Sequence, residues 1–304
     1  MVCDFVEGVR AGWPQIRFEH IAGCRTAVYE AGEGPILLLF HGCSLCVDAR
    51  LTWFRLLPEL TRSYRVIAYD QPGFGLSDMP SNGSLPDRLA RTAHALELLR
   101  VLGVERCSLI GHSEGGFIAM RLAIAETSRM AKLIICASGA VAPALGQDAD
   151  LAWQAAAAKS YDYVSRSFDE DRLVSTEDRL QHHRDAEFEA LLRQNYLRDI
   201  ATGHVEMFRA RGRTAGDYRS YASVQERELF PFLDRLRARP LLLWGGADAT
   251  VPVARGEALA RRIPGAELRV IQGAGHWLMH DAPAIFGAAV VGHLQQEPAG
   301  HQPE

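Results

Sequence analysis

A chain of 304 residues, 48% hydrophobic and 23% charged, has the make-up of a globular protein that can bury a sizeable core. Its net charge of −4 leaves no electrostatic footprint for nucleic acid or an anionic membrane surface, and Arg209–Arg213 and Arg235–Arg239 read as solvated helix ends or loops. Met1–Trp13 lacks a basic region followed by an apolar run, and no stretch approaches about 18 apolar residues, so neither a signal peptide nor a membrane-spanning helix is expected. The six cysteines (Cys3, Cys24, Cys43, Cys46, Cys107 and Cys136) are scattered and fit reduced thiols better than a disulfide framework, which makes the expected location cytoplasmic.

Eight short apolar runs read as strands: Ile16–His20, Arg25–Glu30, Pro35–Phe40, Val66–Asp70, Cys107–Gly111, Leu133–Ala137, Leu241–Trp244 and Glu267–Ile271. Ile36–Phe40 is apolar throughout, the mark of a strand covered on both faces. The first two runs alternate better and suit an antiparallel start to the sheet. Between the fourth and fifth runs, Ser84 as N-cap, then Leu89, Ala93, Leu96 and Leu99 at helical spacing, then Gly103, predict an amphipathic helix. Such alternation of strand and helix predicts an α/β fold with crossover connections and a mostly parallel sheet.

The rhythm breaks after the sixth run. Residues 142–230 hold helical patterns, Leu151–Phe168 and Ala186–Phe208 among them, before strands resume at Leu241. The expected organisation is therefore a core of residues 1–141 and 231–296, a helical cap of residues 142–230 over the sheet's C-terminal edge, and a frayed tail of residues 297–304.

Chemistry concentrates at strand ends. Gly111-His112-Ser113-Glu114-Gly115-Gly116 follows a strand run and precedes the helical run Phe117–Ala123. Glycines on either side make a turn tight enough to hold Ser113 in a strained conformation at the positive end of a helix. A serine hydroxyl needs a base, and His276 lies in a loop just after the last strand run. His280 is the nearest competitor, inside or just before the final helix. The pair His276-x-x-x-His280 lacks the glutamate of a zinc-protease motif, so no metal is expected. Asp248, between a strand run and Val251-Pro252, is the acid that would orient the imidazole; Asp70 precedes Ser113 and reads as a turn residue. Backbone N–H groups of Glu114 and, in the loop His41-Gly42-Cys43-Ser44, of Cys43 would hold an oxyanion. Cys43-x-x-Cys46 as a redox pair is the weaker reading of that loop.

With His41-Gly42, Asp70–Ser77, Gly111–Gly116, Asp248 and Gly275-His276 in this order, the chain resembles the α/β-hydrolase superfamily over nearly its whole length. The resemblance implies an eight-stranded, mostly parallel sheet flanked by helices, with a helical cap inserted between strands, a Ser113–His276–Asp248 triad and no cofactor. Ser113 argues against haloalkane dehalogenases and epoxide hydrolases, which carry Asp at this position. Trp53 after His41-Gly42, and Gly275-His276-Trp277, are similar to the meta-cleavage-product hydrolases, which split carbon–carbon bonds. That likeness implies substrate contacts from Trp277 and from a cap arginine, for which Arg184 is the candidate. His112 and Ser44, beside the nucleophile and the oxyanion loop, complete the candidate substrate contacts. The group usually has Asn where this chain has His112 and Thr52, and Gly-His-Ser is commoner in esterases and lactonases. Hydrolysis of a small carboxylic ester or lactone therefore leads, with carbon–carbon hydrolysis as the alternative. A cofactor-free dioxygenase and a non-catalytic binding homologue are the remaining readings. The expected partner is a small-molecule substrate, and a homodimer is compatible with the sequence.

Overall fold

A computed structural model describes residues 14–80, 83–160, 169–178, 185–211 and 217–296. Eight strands form one sheet: β1 (Gln15–Ile21), β2 (Cys24–Ala31), β3 (Ile36–Phe40), β4 (Arg65–Tyr69), β5 (Cys107–His112), β6 (Met130–Cys136), β7 (Leu241–Gly245) and β8 (Glu267–Ile271). Their order is β1-β2-β4-β3-β5-β6-β7-β8. β2 pairs antiparallel with β1 and β4, and every pairing from β4 onward is parallel.

The unbroken apolar runs follow from burial on both faces. Leu37 and Leu39 of β3, Ile110 of β5 and Leu241 and Leu243 of β7 point into one layer of core. Leu38 and Phe40, Leu109, and Leu242 and Trp244 point into the other. The first layer is closed by α1 (Ala49–Trp53), α2 (Leu57–Leu60) and α12 (Pro283–Gln295). The second is closed by α3 (Arg88–Val101), α4 (Gly115–Ala125) and α10 (Val253–Arg262).

α3 corrects the sequence reading in two respects. Its N-cap is Asp87, whose carboxylate accepts from the Ala90 N–H at 2.8 Å, not Ser84. Its inward face carries Arg88, Arg91, Ala95, Leu98 and Leu99, while Ala93 is exposed. The C-terminus is as expected. Gly103 at φ +62° lets the Val104 N–H reach the Leu99 carbonyl at 2.9 Å.

Between β6 and β7 the described residues form helices: α5 (Gln147–Ser160), α6 (Glu170–Asp178), α7 (Ala186–Ala201), α8 (His204–Arg211) and α9 (Asp217–Glu228). The expected continuous run Ala186–Phe208 is two helices, because Gly203 at φ +80° ends the first. The far end of Leu151–Phe168 and the tail 297–304 lie outside the described residues. α11 (Leu278–Asp281) is a single turn before α12. Among the described residues no helix is long and apolar enough to cross a membrane.

The turn after β5 is built on close approach. A β-carbon on Gly111 would strike the Gly115 carbonyl, and one on Gly115 the carbonyls of Phe40 and His41. Overpacking of this kind costs about 1–3 kcal/mol, and backbone cannot yield as a flexible side chain does. Gly115→Ala is thus expected to lower unfolding free energy by about 2 kcal/mol or more. Gly292→Ala, in α12 with nothing within 4 Å, should instead raise it by about 0.5 kcal/mol. Urea titrations of the two variants check this pair, and equal effects would refute the packing account.

Candidate active site

Ser113 stands at φ +53° between β5 and α4, a left-handed conformation that a side chain rarely adopts. Its N–H donates to the Cys136 carbonyl at 2.9 Å, and its carbonyl accepts from the Gly116 N–H at 3.0 Å and from the Ser138 hydroxyl. The side chain is therefore carried above the parallel strands, at the N-terminal end of α4, where helix dipoles favour developing negative charge.

His276 and Asp248 come from the loops after β8 and β7. These loops press together because Gly245 has no side chain: a β-carbon there would overlap the carbonyls of Gly275 and Ala274. Ala247 N–H donates to the Ala274 carbonyl at 2.8 Å, and Gly275 N–H to the Asp281 carboxylate at 2.7 Å. In this frame His276 Nδ1 lies 2.9 Å from Asp248 Oδ2. Asp248 Oδ1 accepts from the N–H groups of Thr250 and Val251, both at 2.8 Å, so the carboxylate cannot turn away from the ring. Both side chains are buried. A carboxylate on Nδ1 fixes the imidazole tautomer with Nε2 as acceptor, which is the form a general base requires.

His112 joins the two halves of the site. Its Nε2–H donates to the His276 carbonyl at 3.0 Å, and the two ring centroids are 4.9 Å apart. Its Nδ1 therefore carries a lone pair, and that atom is buried without a hydrogen-bond partner. A β-carbon built on Gly42 would lie 3.7 Å from both His112 Nδ1 and Ser113 Oγ, so both atoms border one small space. Burial, then the neighbouring His276, hold the His112 pKa well below the ordinary imidazole range.

The loops bearing the two expected oxyanion donors are tied by a buried polar chain. His41 Nδ1–H donates to the Gly42 carbonyl at 2.8 Å, while its Nε2 accepts from the Gln71 N–H at 3.0 Å. Gln71 donates through its side chain to the His41 carbonyl at 2.7 Å and accepts from Arg91 at 3.1 Å. Arg91 reaches Glu114 Oε1 at 2.9 Å, and Arg88 meets the same carboxylate through Nε at 3.0 Å and Nη2 at 3.2 Å. Glu114 is thus paired and buried rather than facing a pocket wall or solvent. Burial lowers His41 to about 4, keeping it neutral. Gln71, Arg88 and Arg91 had no place in the sequence reading. The available signal was two arginines three residues apart on the inward face of α3.

Among the remaining candidates, Trp277 is buried, with ring centroids 4.9 Å from His112 and 5.1 Å from Phe188 of α7. Ser44 is half-buried in the oxyanion loop, where its carbonyl accepts from Val47 N–H at 3.3 Å. Arg184 lies outside the described residues. Cys43 and Cys46 are buried and form no disulfide, and among the described residues no cluster of ligands could hold a metal ion. His280 stacks on Phe54 at 4.9 Å, away from Asp248's partner position, which His276 fills.

A profile of the alpha/beta hydrolase fold matches residues 35–283. The chain belongs to this family. It is 31% identical over 291 residues to a 2-hydroxymuconate semialdehyde hydrolase of Pseudomonas sp. (strain CF600), covering 93% of this chain and 95% of that relative. It is 27% identical over 303 residues to a 2-hydroxy-6-oxo-6-phenylhexa-2,4-dienoate hydrolase of Comamonas testosteroni, covering 96% and 99%. A meta-cleavage product hydrolase from Pseudomonas fluorescens has the same fold, with a TM-score of 0.77 at 23% identity over 91% of this chain and 96% of the other.

His280 makes the site's surroundings acid-sensitive. Burial lowers its pKa from the ordinary 6.5 to about 3, against the weaker pull of Asp185. The unfolded chain takes up this proton first, so stability is full above pH 6.5 and falls from there toward the folded-state value. His280→Phe, which keeps the stacking, should cut the loss of unfolding free energy between about pH 7 and pH 5 by about 2 kcal/mol. Urea unfolding at the two pH values tests this; an unchanged loss would refute it.

Proposed function

We propose that this α/β-hydrolase cleaves a carbon–carbon bond beside an aldehyde or ketone carbonyl in a hydroxylated dienoate, a substrate of the meta-cleavage-product kind. The observation that carries this reading is full-length similarity to relatives named for that activity, beside a His276–Asp248 pair and Ser113 at strand ends of this chain. It reverses the order reached from the sequence, where ester or lactone came first. The ester reading retains one observation in its favour, His112 in place of the usual Asn.

In the proposed reaction the dienol is first ketonised, which places a saturated carbon next to the reacting carbonyl. His276 accepts the Ser113 proton as the serine oxygen attacks that carbonyl. The N–H groups of Cys43 and Glu114 hold the resulting oxyanion. Collapse breaks the carbon–carbon bond; its electron pair leaves as a delocalised enolate and takes the proton from the imidazolium. Water, deprotonated by His276, then releases the acid from Ser113. The products together contain the substrate plus one water.

His112 gives this site a preference. A neutral imidazole with its lone pair on Nδ1 accepts a hydrogen bond and offers none, so it suits the dienol hydroxyl of the substrate before ketonisation removes that proton. Trp277, packed on His112, supplies a flat wall for a conjugated chain.

Three experiments test the reading. Ser113→Ala should lower turnover of a 2-hydroxy-6-oxohexa-2,4-dienoate by about 10⁴-fold or more without shifting the thermal midpoint. Wild-type enzyme should turn this compound over with a higher kcat/KM than p-nitrophenyl acetate; the reverse order would restore the ester reading. His112→Leu should cost about tenfold in kcat/KM on the hydroxylated dienoate and under about threefold on the aryl ester. Equal losses on both would refute the acceptor role.

A further inference from the structure

We propose that Arg198, from the helical insertion, is a positioning residue for the oxyanion loop, so that α7 and the Cys43 N–H move as one unit. This rests on the reading of Ser113 as nucleophile, but not on which bond is broken. Two side chains of α7, three residues apart and hence on one face, grip the segment that follows Cys43. Arg198 Nη1 donates to Asp48 Oδ2 at 2.7 Å, and Asn195 Nδ2 donates to the Cys46 carbonyl at 2.8 Å. Arg198 Nη1 also donates to Asn195 Oδ1 at 3.0 Å, which locks the pair into one clamp.

The clamped segment cannot hold its shape unaided. Cys46 sits at φ +62°, a left-handed conformation that a residue with a β-carbon resists. Its far end is pinned to the core: Asp48 Oδ1 accepts from Leu51 N–H at 2.7 Å, and Asp70 Oδ1 accepts from Ala49 N–H at 2.9 Å. Its near end is pinned through His41 and Gln71. Between these anchors the loop is held by the ties to α7 and by its own bond from Val47 N–H to the Ser44 carbonyl. The clamp is also charged and dry. Asp48, Arg198 and Asp199 are all buried, with Arg198 Nε on Asp199 at 2.8 Å. A guanidinium between two carboxylates in such a place tolerates little misalignment, since loss of any member strands a buried charge.

An N–H that is turned away from a developing oxyanion lowers the rate of reaction and leaves substrate binding nearly unchanged. The test therefore separates kcat from KM. In Arg198→Met combined with Asp48→Asn, made in an Asp199→Asn background, neither carboxylate of the clamp is left charged and unpaired, and Asn still caps α1. This combined variant is expected to lose about 30-fold or more in kcat, with KM within about threefold of wild type. Affinity for an aryl trifluoromethyl ketone, whose serine adduct bears an oxyanion, should fall in parallel with kcat, while affinity for the product acid stays constant. Arg198→Lys should restore part of the loss. Asn195→Ala, which breaks only the Cys46 tie and its bond to Arg198, should cost about tenfold in kcat and serves if the combined variant does not fold. A folded variant with wild-type kcat and ketone affinity, or with a change in KM alone, overturns the role of Arg198. A wild-type enzyme that neither binds the ketone nor is labelled at Ser113 by a fluorophosphonate overturns the nucleophile reading, and this proposal with it.

Discussion

The site depends on one close approach of backbone to backbone. Gly115 brings the start of α4 against the carbonyls of Phe40 and His41 at the end of β3, with no room for a side chain. Gly111 closes the same turn from within, and Gly116 seats it against Ser138. Only with all three does the chain reverse from β5 into α4 within so few residues. Ser113 is then forced to φ +53°, and Gly42 comes to lie against it, where a β-carbon would be 3.2 Å from Ser113 Cβ. Ser113 and the loop after β3 are neighbours because two strands and a helix are packed closer than side chains would allow.

Packing alone does not fix the orientation of the peptide groups, and here buried polar groups take over. The chain His41–Gln71–Arg91–Glu114 runs from the loop after β3, which carries Cys43, to the residue after Ser113, so one network ties the two segments that bear the expected oxyanion donors. Burying Glu114 with Arg88 and Arg91 is a poor way to gain stability, since desolvation offsets much of the attraction. A fully bonded network does define one geometry. Asp70, which read as a turn residue, has a similar task. It accepts from Tyr29 OH and the N–H groups of Ala49 and Leu76, and so organises two loops at once.

The sheet was legible because strands buried on both faces leave unbroken apolar runs, and all eight runs correspond to strands. Gly111–Gly116 was legible because glycine spacing encodes a close approach that few other structures require. Asp248 and His276 followed from position at strand ends. What escaped was polar and internal. Arg88 and Arg91 sit on the inward face of α3, where a pattern of hydrophobic residues places Leu89 and Ala93 instead. Their partner Glu114 is distant in sequence, and nothing local says that a charge is paired. Asp48 and Arg198 are 150 residues apart and meet only because α7 lies over the loop. The break at Gly203 was visible as a glycine, but a glycine inside a helical pattern is ambiguous until its φ is known.

His112 is the residue at which the resemblance to carbon–carbon hydrolases was weakest, and the strand order gives it a positional role. Ser113 follows β5, whereas His276 follows β8, three strand spacings and roughly 14 Å away across the sheet. The loop after β8 must reach back over β7 and β6, and a loop that long needs an anchor at its far end. The bond from His112 Nε2 to the backbone carbonyl of His276 is such an anchor, running from the strand before Ser113 to the main chain of the loop after β8. It holds the position of His276 while Asp248 holds its rotation. The other ring nitrogen, Nδ1, is buried beside the same small space that Ser113 Oγ borders. The bond from His112 therefore ties β5 to the loop after β8 and holds His276 beside the strand that carries Ser113.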